Sequence, residues 1–365
     1  MNSEPDADDP HRGVPGRNIS QRIFVSEYVC GGAWPEDSVE PSLAREGRAM
    51  LTAIVADLLR IPGCLVATTW DGRLGEFPWS EANTKRGESR LEVHEATPQD
   101  EAERFQKLCR ASDAALIIAP EFDGILTNRV ATAACLTKLL GPDERTVSLC
   151  SDKLALARFL GEHQIATVPT ELVDLAEPVA RWEFPVVLKP RDGAGSLQTF
   201  LVSDAAEFDR RCQEARHAGW PTQFIQQPFV SGEPISAAVI IDASGHRHIL
   251  PVARQLLSAN GRFEYLGSAW DESLVCWQQP VAQLINQLLD RLSGLRGYLG
   301  LDLIGATDGS VQVVDINPRL TTGYLAWRMR TRSNLAATIL GRDEPSWSLA
   351  MGEYRLVDLE PAQSP

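Results

Sequence analysis

Short apolar runs rich in β-branched residues recur along the first 150 positions: "RIFVSEYV" over 22–29, "CLVATTW" over 64–70 and "AALIIAP" over 114–120. Each has the length and composition of a buried strand. The segments between them are long enough for crossover helices, and one shows its period: Met50, Leu51, Ile54, Val55, Leu58 and Leu59 share one helical face. Strand and helix in alternation predict a doubly wound parallel sheet, an α/β domain over 22–150. At "SDKLALARFL" Ser151 or Asp152 can cap a new helix, and from there the spacing changes. Strands predicted at 185–189, 197–202, 223–227, 235–242 and 247–253 follow one another too closely for helical crossovers. The second half, 151–345, therefore reads as α+β with antiparallel sheets. An amphipathic helix carrying Val281, Leu284, Ile285, Leu288, Leu289 and Leu292 precedes two further strands, near 298–305 and 311–316. Residues 1–21, polar and rich in Pro and Gly, read as a disordered tail, and 346–365 as a C-terminal tail.

Composition narrows the function classes. With 365 residues, 44% of them hydrophobic, the chain can build two or three cores. A formal net charge of −14 argues against nonspecific nucleic-acid binding and against adhesion to an anionic membrane, although it leaves room for a local basic pocket. Seven cysteines without a CxxC pair suit reduced thiols, hence a cytoplasmic setting. No apolar run reaches 18 residues, and the N-terminus lacks the basic start and apolar stretch of a signal peptide, so a soluble, unsecreted protein is expected.

Candidate chemistry starts at "LKPRDGAGS", 188–196. Lys189 ends the apolar run "FPVVL", and Gly193, Ala194, Gly195 and Ser196 then leave the backbone almost bare. Such a loop lets peptide N–H groups approach a phosphate while the lysine adds a point charge, though a plain glycine-rich hairpin turn has the same composition. A second signal is "LGLDLIGATDGSVQVVDINPR", 299–319. A hairpin turning at Asp308-Gly309 would bring Asp302 and Asp315 to one end of a sheet, with Asn317 on the same face as Asp315. Two carboxylates and an amide oxygen form the hard-oxygen, incomplete set that holds Mg²⁺ or Mn²⁺ beside substrate phosphates. Arg319, always charged and fork-shaped, follows at once. Between these lies "QFIQQPFVSGEPISAAVII", 223–241, a strand, a Pro-interrupted hinge and a second strand. Pro228 cannot donate a ladder bond, so backbone near it is free to meet an adenine edge, and Glu233 near the cleft mouth could accept from ribose hydroxyls.

The order of these signals resembles the ATP-grasp superfamily over roughly 22–342, most specifically at "VVDINPR". The resemblance implies an ATP-grasp fold behind a pre-ATP-grasp α/β domain, with a hinge between subdomains near 228–232. It implies that Lys153 and Lys189 contact ATP phosphates beneath the Gly193–Ser196 flap, and that Pro228, Phe229 and Val230 contact adenine, with Glu233 on the ribose. It further implies Asp302, Asp315 and Asn317 as metal ligands and Arg319 as the group steadying an acyl-phosphate. This chain departs from the family at Gln227 and Pro228, where an acidic hinge residue is common, and at Asp315, where Glu is common. The N-terminal strings "SEYVCGGAWP", "LAREGRAML", "TTWDGR" and "APEFDGIL" resemble the branch containing tyramine-glutamate ligases of methanofuran biosynthesis.

That resemblance implies an ATP-dependent carboxylate-amine ligase acting on small amino-acid and amine substrates, glutamate with tyramine or tyrosine being the pair it suggests. A non-catalytic ATP-binding regulator is the alternative, and a homodimer is one open possibility for assembly. Glu27, Gly31, Gly32 and Arg73, near strand ends, are candidates to meet a zwitterionic substrate, while Trp34, Trp70 and Tyr324 are candidate aromatic walls for the amine. Each has an ordinary alternative: a surface-paired acid for Glu27, a turn residue for Arg73, core or rim packing for the aromatics. The lack of a GxGxxG pattern argues against a nicotinamide site, and His246 and His248 read as an exposed strand face.

Overall fold

The computed structural model describes residues 21–35, 39, 41–78, 90–219, 223–348 and 351–356. The N-terminal domain is a five-stranded, all-parallel sheet of β1 (Gln21–Glu27), β2 (Cys64–Asp71), β3 (Leu91–Ala96), β4 (Ala114–Ile118) and β5 (Lys138–Leu139), in the order β3-β2-β1-β4-β5. Strand order reverses at β1, which places a crevice beyond the carboxyl ends of β1 and β4. The predicted helix is α1 (Pro41–Leu59), whose buried face carries Met50, Leu51, Ile54, Val55 and Leu58. Helices α2 (Glu101–Arg110), α3 (Ile125–Ala134) and α4 (Glu144–Ser151) complete the layer.

Asp152 closes this domain and caps α5 (Lys153–Glu162), its carboxylate accepting from the Leu154 and Ala155 N–H groups. A four-stranded antiparallel sheet follows, β6 (Glu171–Asp174), β7 (Val186–Pro190), β8 (Phe200–Val202) and β9 (Gln223–Pro228), in the order β6-β9-β7-β8. Contrary to the expectation of closely linked strands, α6 (Ala205–His217) lies between β8 and β9; its polar, highly charged sequence buries only Phe208, Cys212 and Ala215, too thin a stripe to stand out by period. The larger sheet contains β10 (Gly232–Ile241), β11 (Arg247–Ile249), β12 (Ala253–Leu257), β13 (Tyr265–Trp270), β14 (Gly297–Ala306), β15 (Val311–Asn317) and β16 (Gly352–Arg355). What reads as one strand over 247–253 is two, broken at Pro251, and β12 and β13 extend beyond it. The segment read as a C-terminal tail contributes β16, antiparallel to β13, with Tyr354 buried. Residues 1–20 and 357–365 lie outside the described residues, and Gln21 already belongs to β1.

Helix α7 (Val275–Leu289) covers one face of the larger sheet, packing Val281, Leu284, Ile285 and Leu288 against Ile235, Val239, Leu301 and Val313. Helices α8 (Gly323–Arg330) and α9 (Leu335–Ile339) lie on the other side, and α1 packs against both. The N-terminal domain and the larger sheet thereby share one core, in which Ile54 and Leu58 join Tyr324, Trp327 and Leu335. The smaller sheet has a core of its own, built on Val186, Leu188, Phe200, Phe208 and Phe224.

Candidate functional site

Strand alternation explains the floor of the site. On β14 the odd positions Leu299, Leu301 and Leu303 point into the α7 core, so Gly300, Asp302 and Ile304 face the opposite way into a cavity of about 250 Å³ between the two antiparallel sheets. Asp302 sits across the ladder from Asp315, beside a bulge at Asp302/Leu303, and two like charges are brought together. Neighbours compensate: Gln255 Nε2 donates to Asp302 Oδ1 at 2.6 Å and Asn317 Nδ2 to Oδ2 at 3.1 Å. Burial, followed by the Asp315 charge, still pushes the Asp302 carboxyl up to about 6.

Two lysines face this pair. Lys153 opens α5 and reaches Asp315 Oδ2 at 3.0 Å while donating to the Gly193 carbonyl at 3.0 Å. Burial opposes its charge, but Asp315, together with Glu121 and Asp302, outweighs burial and holds its pKa above the ordinary lysine value. Lys189, buried near the end of β7, lacks so close a partner, and burial brings it down to about 8 despite the aspartates. Over both lysines runs the loop 193–199, with Gly195, Ser196 and Gln198 at positive φ and Ser196 Oγ tied to the Phe263 carbonyl at 2.8 Å. The opposite wall is the hinge Pro228, Phe229 and Val230, where Phe229 stacks on Phe263 with ring centroids 6.4 Å apart. Arg319 closes the inner end, its Nε and Nη2 donating to the Glu121 carboxylate at 2.7 and 2.9 Å. Burial works against its charge, and Glu121, with the fields of Glu46 and Glu27, more than restores it, so its pKa is raised.

Lys153, Lys189, Gly193, Gly195, Ser196, Pro228, Phe229, Val230, Asp302, Asp315, Asn317 and Arg319 thus line one cavity. The remaining candidates do not. Glu233 lies on the Ile235 side of β10, away from the cavity-lining Pro234 and Ser236, and its carboxylate is held by Arg254. Glu27 is buried at the carboxyl end of β1, accepts from the Cys30 N–H, and is raised to about 7 by burial. Gly31 and Gly32 serve packing: a Cβ would meet Thr69 Oγ1 at 2.7 Å and the Ala96 carbonyl oxygen at 2.6 Å. Arg73 is forked onto Asp71 and the Trp34 carbonyl, which turns it from the cleft. Trp70 is core, against Phe77, and Trp34 is outside the cavity lining. Tyr324, expected as an aromatic wall, is wholly buried with its hydroxyl on Asp57 Oδ2 at 2.8 Å. His246 and His248 both turn toward Asp242. Sequence reasoning missed Glu46, Gln255, Phe263 and Tyr265, which line the cavity, and Glu121 behind Arg319. Glu46 and Glu121 had a sequence signal, inside "LAREGRAML" and "APEFDGIL".

Among the described residues no three His, Cys, Asp or Glu side chains cluster as a metal cage, so the two carboxylates depend on the Asn317 amide and on substrate oxygens to complete a hard-ion shell. That incomplete oxygen set, with the Asp302 carboxyl raised to about 6 by burial and then by its like-charged neighbour, fits a divalent cation.

Two antiparallel sheets clasping a lysine-rich cavity behind a parallel-sheet domain define a nucleotide-dependent ligase architecture. Residues 150–323 match the ATP-grasp domain family and residues 64–147 the pre ATP-grasp 3 domain. The chain belongs to the ATP-grasp superfamily, in its carboxylate-amine ligase family. It is 22% identical over 329 residues to the tyramine–L-glutamate ligase of Methanocaldococcus jannaschii, covering 88% of this chain and 89% of that one. It is 25% identical over 203 residues to the D-alanine–D-alanine ligase of Francisella philomiragia, covering 53% of this chain and 67% of that one. Other Francisella D-alanine–D-alanine ligases match over 60% of their length. Among solved structures, an ATP-grasp superfamily protein from Archaeoglobus fulgidus superposes with a TM-score of 0.64 at 22% identity, over 90% of both chains. The L-amino acid ligase from Bacillus licheniformis does so with a TM-score of 0.59 at 15% identity, over 90% of this chain and 75% of that one. At those identities the superpositions speak for the fold.

Proposed function

We propose that the protein is an ADP-forming ligase that joins an amino-acid carboxylate to an amine. The observation that carries this reading is the convergence of Lys153, Lys189, Asp302, Asp315 and Asn317 in one cavity under a bare glycine loop. Lys153 and Lys189 supply the positive charge that orients the phosphates of ATP. Asp302, Asp315 and Asn317 would hold Mg²⁺ or Mn²⁺, which neutralises phosphate charge when bound. The substrate carboxylate takes the terminal phosphoryl group, releasing ADP and leaving an acyl-phosphate. The amine nitrogen then displaces phosphate, forming the amide and losing its proton to solvent. Arg319, oriented by Glu121, faces the inner end of the cavity, where its guanidinium can stabilise the oxyanion of that second step. Loop 193–199 excludes water that would hydrolyse the activated carboxyl.

The similarity to the tyramine–L-glutamate ligase over 88% of the chain supports glutamate and an aromatic amine, tyramine or tyrosine, as the pair, in methanofuran-type one-carbon cofactor synthesis. Seven free cysteines support a cytoplasmic setting, and among the described residues no helix is long and apolar enough to cross a membrane. The test is ADP release across a matrix of amino acids and amines with Mg²⁺. ADP release dependent on glutamate plus tyramine is the expected result. Release only with other pairs would reject the substrates but keep the ligase, and Mg-ATP binding without release for any pair would identify a nucleotide-binding regulator instead.

A further inference from the structure

Asp302 and Asp315 face each other across the β14-β15 ladder, and each needs something to keep its carboxylate turned toward the other. The torsion that rotates a carboxylate is broad, so two like charges swing apart unless hydrogen bonds hold them. Asp315 is held by a cation and by its own backbone: Oδ2 meets Lys153 Nζ at 3.0 Å and Oδ1 accepts from the Ile316 N–H at 3.0 Å. Asp302 is held by neutral groups. Its two oxygens each take one amide, Oδ1 from Gln255 Nε2 at 2.6 Å and Oδ2 from Asn317 Nδ2 at 3.1 Å. Asn317 already belongs to the metal set. Gln255 does not, and neither phosphoryl transfer nor amide formation as derived above calls on it.

The contact is a long reach with a braced origin. In the larger sheet β10 lies between β12 and β14, so Gln255 crosses a whole strand to meet Asp302. Arg254, the preceding residue on β12, points to the opposite face of the sheet. There it forks onto Glu233 at the start of β10 and onto Asp271 just after β13, and it donates to Ser273 Oγ at 2.9 Å. Arg254 thus ties β12 to its surroundings from behind, while Gln255 is delivered to the cavity wall in front.

We propose that Gln255 is a positioning residue for the divalent cation: its amide fixes the Asp302 carboxylate beside Asp315 and, being neutral, does so without competing with the ion for that charge. The inference rests on the metal set of the ligase reading. A lysine or arginine in the same place would hold Asp302 as firmly, but it would neutralise one of the two anionic ligands on which a hard cation depends. An amide hydrogen bond orients the carboxylate and leaves its charge available, which is the work of the outer partners of metal-binding carboxylates in general.

The experiment compares wild type with Q255M, which keeps the length of the side chain and removes the donor, and with Q255K, which restores a donor but adds a positive charge. Mn²⁺ binding to the full chain in the presence of ADP is read by electron paramagnetic resonance, with D315N as the control for the site, alongside ADP affinity in EDTA and the unfolding midpoint. Loss of the orienting partner predicts Mn²⁺ binding weakened by about tenfold to a hundredfold in Q255M, and by at least as much in Q255K. ADP affinity in EDTA should change by less than about twofold in Q255M, while in turnover the KM for Mg²⁺ rises and kcat recovers at saturating Mg²⁺, a split that a damaged fold would not give. Equal Mn²⁺ binding by wild type and Q255M, wild-type Mn²⁺ binding by Q255K, or a loss in Q255M that falls equally on ADP without metal overturns the assignment. Wild-type Mn²⁺ binding by D315N would remove the metal set and the assignment with it. Gln255-dependent Mn²⁺ binding without ADP release for any substrate pair would reject the ligase reading and leave the role of Gln255 standing.

Discussion

Replacing Tyr324 with phenylalanine removes one hydroxyl from a ring with no exposed surface and separates two roles for this residue. As a wall for an aromatic amine, Tyr324 would matter to substrate affinity; as placed here, it matters to the union of the two domains. Its hydroxyl donates to Asp57 on α1, and the same carboxylate takes Arg328 Nε at 2.8 Å while the Asp57 carbonyl takes Asn334 Nδ2 at 2.7 Å. The ring packs edge-on to Tyr298 at 5.9 Å, a contact that phenylalanine retains. The loss is then one hydrogen bond to a charged group, about 1.5–3 kcal/mol. The Asp57 side chain is only 2% exposed, so water cannot replace the donor at Oδ2 and the upper half of that range is expected, about 2–3 kcal/mol. Asp57→Asn combined with Tyr324→Phe should cost less than the sum of the single changes, because both break the same contact. Urea unfolding followed by tryptophan fluorescence measures the cycle, and ADP release with varied tyramine measures function. A stability change under about 0.5 kcal/mol, joined to a raised KM for the amine, would refute the structural role and return Tyr324 to the substrate site.

Asp315→Asn keeps the shape of the side chain while removing a hard anionic ligand and the partner of Lys153. Turnover should fall by about a hundredfold or more and ligand-free stability by about 2 kcal/mol, since Lys153 keeps the Gly193 carbonyl; wild-type turnover with Mg²⁺ would remove Asp315 from the metal set. Lys189 is depressed to about 8 when the site is empty of phosphate, and a bound polyphosphate favours its charged form, so its pKa rises on binding. Mg-ATP binding at pH 8.5 to 9.5 should therefore take up protons, an uptake read by calorimetry in buffers of different ionisation enthalpy and abolished in Lys189→Met; proton release in wild type would contradict the sign. Loop 193–199 should be cut by protease in the free protein and protected by Mg-ADP or Mg-ATP, whereas equal cleavage with and without nucleotide would count against a closing flap.

What was legible in the sequence was what local periodicity carries. Asp302, Asp315 and Asn317 follow from a strand period of two and a short turn, so their convergence on one hairpin needed no distant contact, whereas Lys189 and its loop sit on the other sheet and were joined to them only by the order of motifs that the family resemblance supplied. The parallel layer was legible for the same reason, since its buried strands are continuous apolar runs, whereas β3, with "LEVHEA" half exposed at the sheet edge, gave no such run. The misassigned residues are polar groups already taken by protein partners, some near in sequence and some far along the chain. Tyr324 meets Asp57 across 267 positions, and Glu27 is spoken for by the turn after β1 and by the back of α1. From sequence, a polar residue near a strand end looks alike whether it faces a substrate or a packed helix. Glu121 lay within the quoted string "APEFDGIL", but its role was invisible for the mirror reason: it orients Arg319 from 198 positions away.

These long-range contacts also decide which part of the molecule can move. The N-terminal domain is tied to the larger sheet through α1, the Asp57 cluster and the Glu121 to Arg319 fork, all of it within or beside one shared core. Opening the cavity by separating those two bodies would expose that core and strand a buried guanidinium, a cost of several kcal/mol for the charge alone. The smaller sheet is different: its core is separate, and the chain passes from β9 to β10 through Pro228, Phe229 and Val230 without a helix to stiffen it. Closure on nucleotide is thus expected to carry Lys189 and loop 193–199 as a unit toward Asp302 and Asp315, with the hinge absorbing the change. Arg319, held on the fixed body, would keep the substrate end of the cavity in place while the phosphate end closes over it.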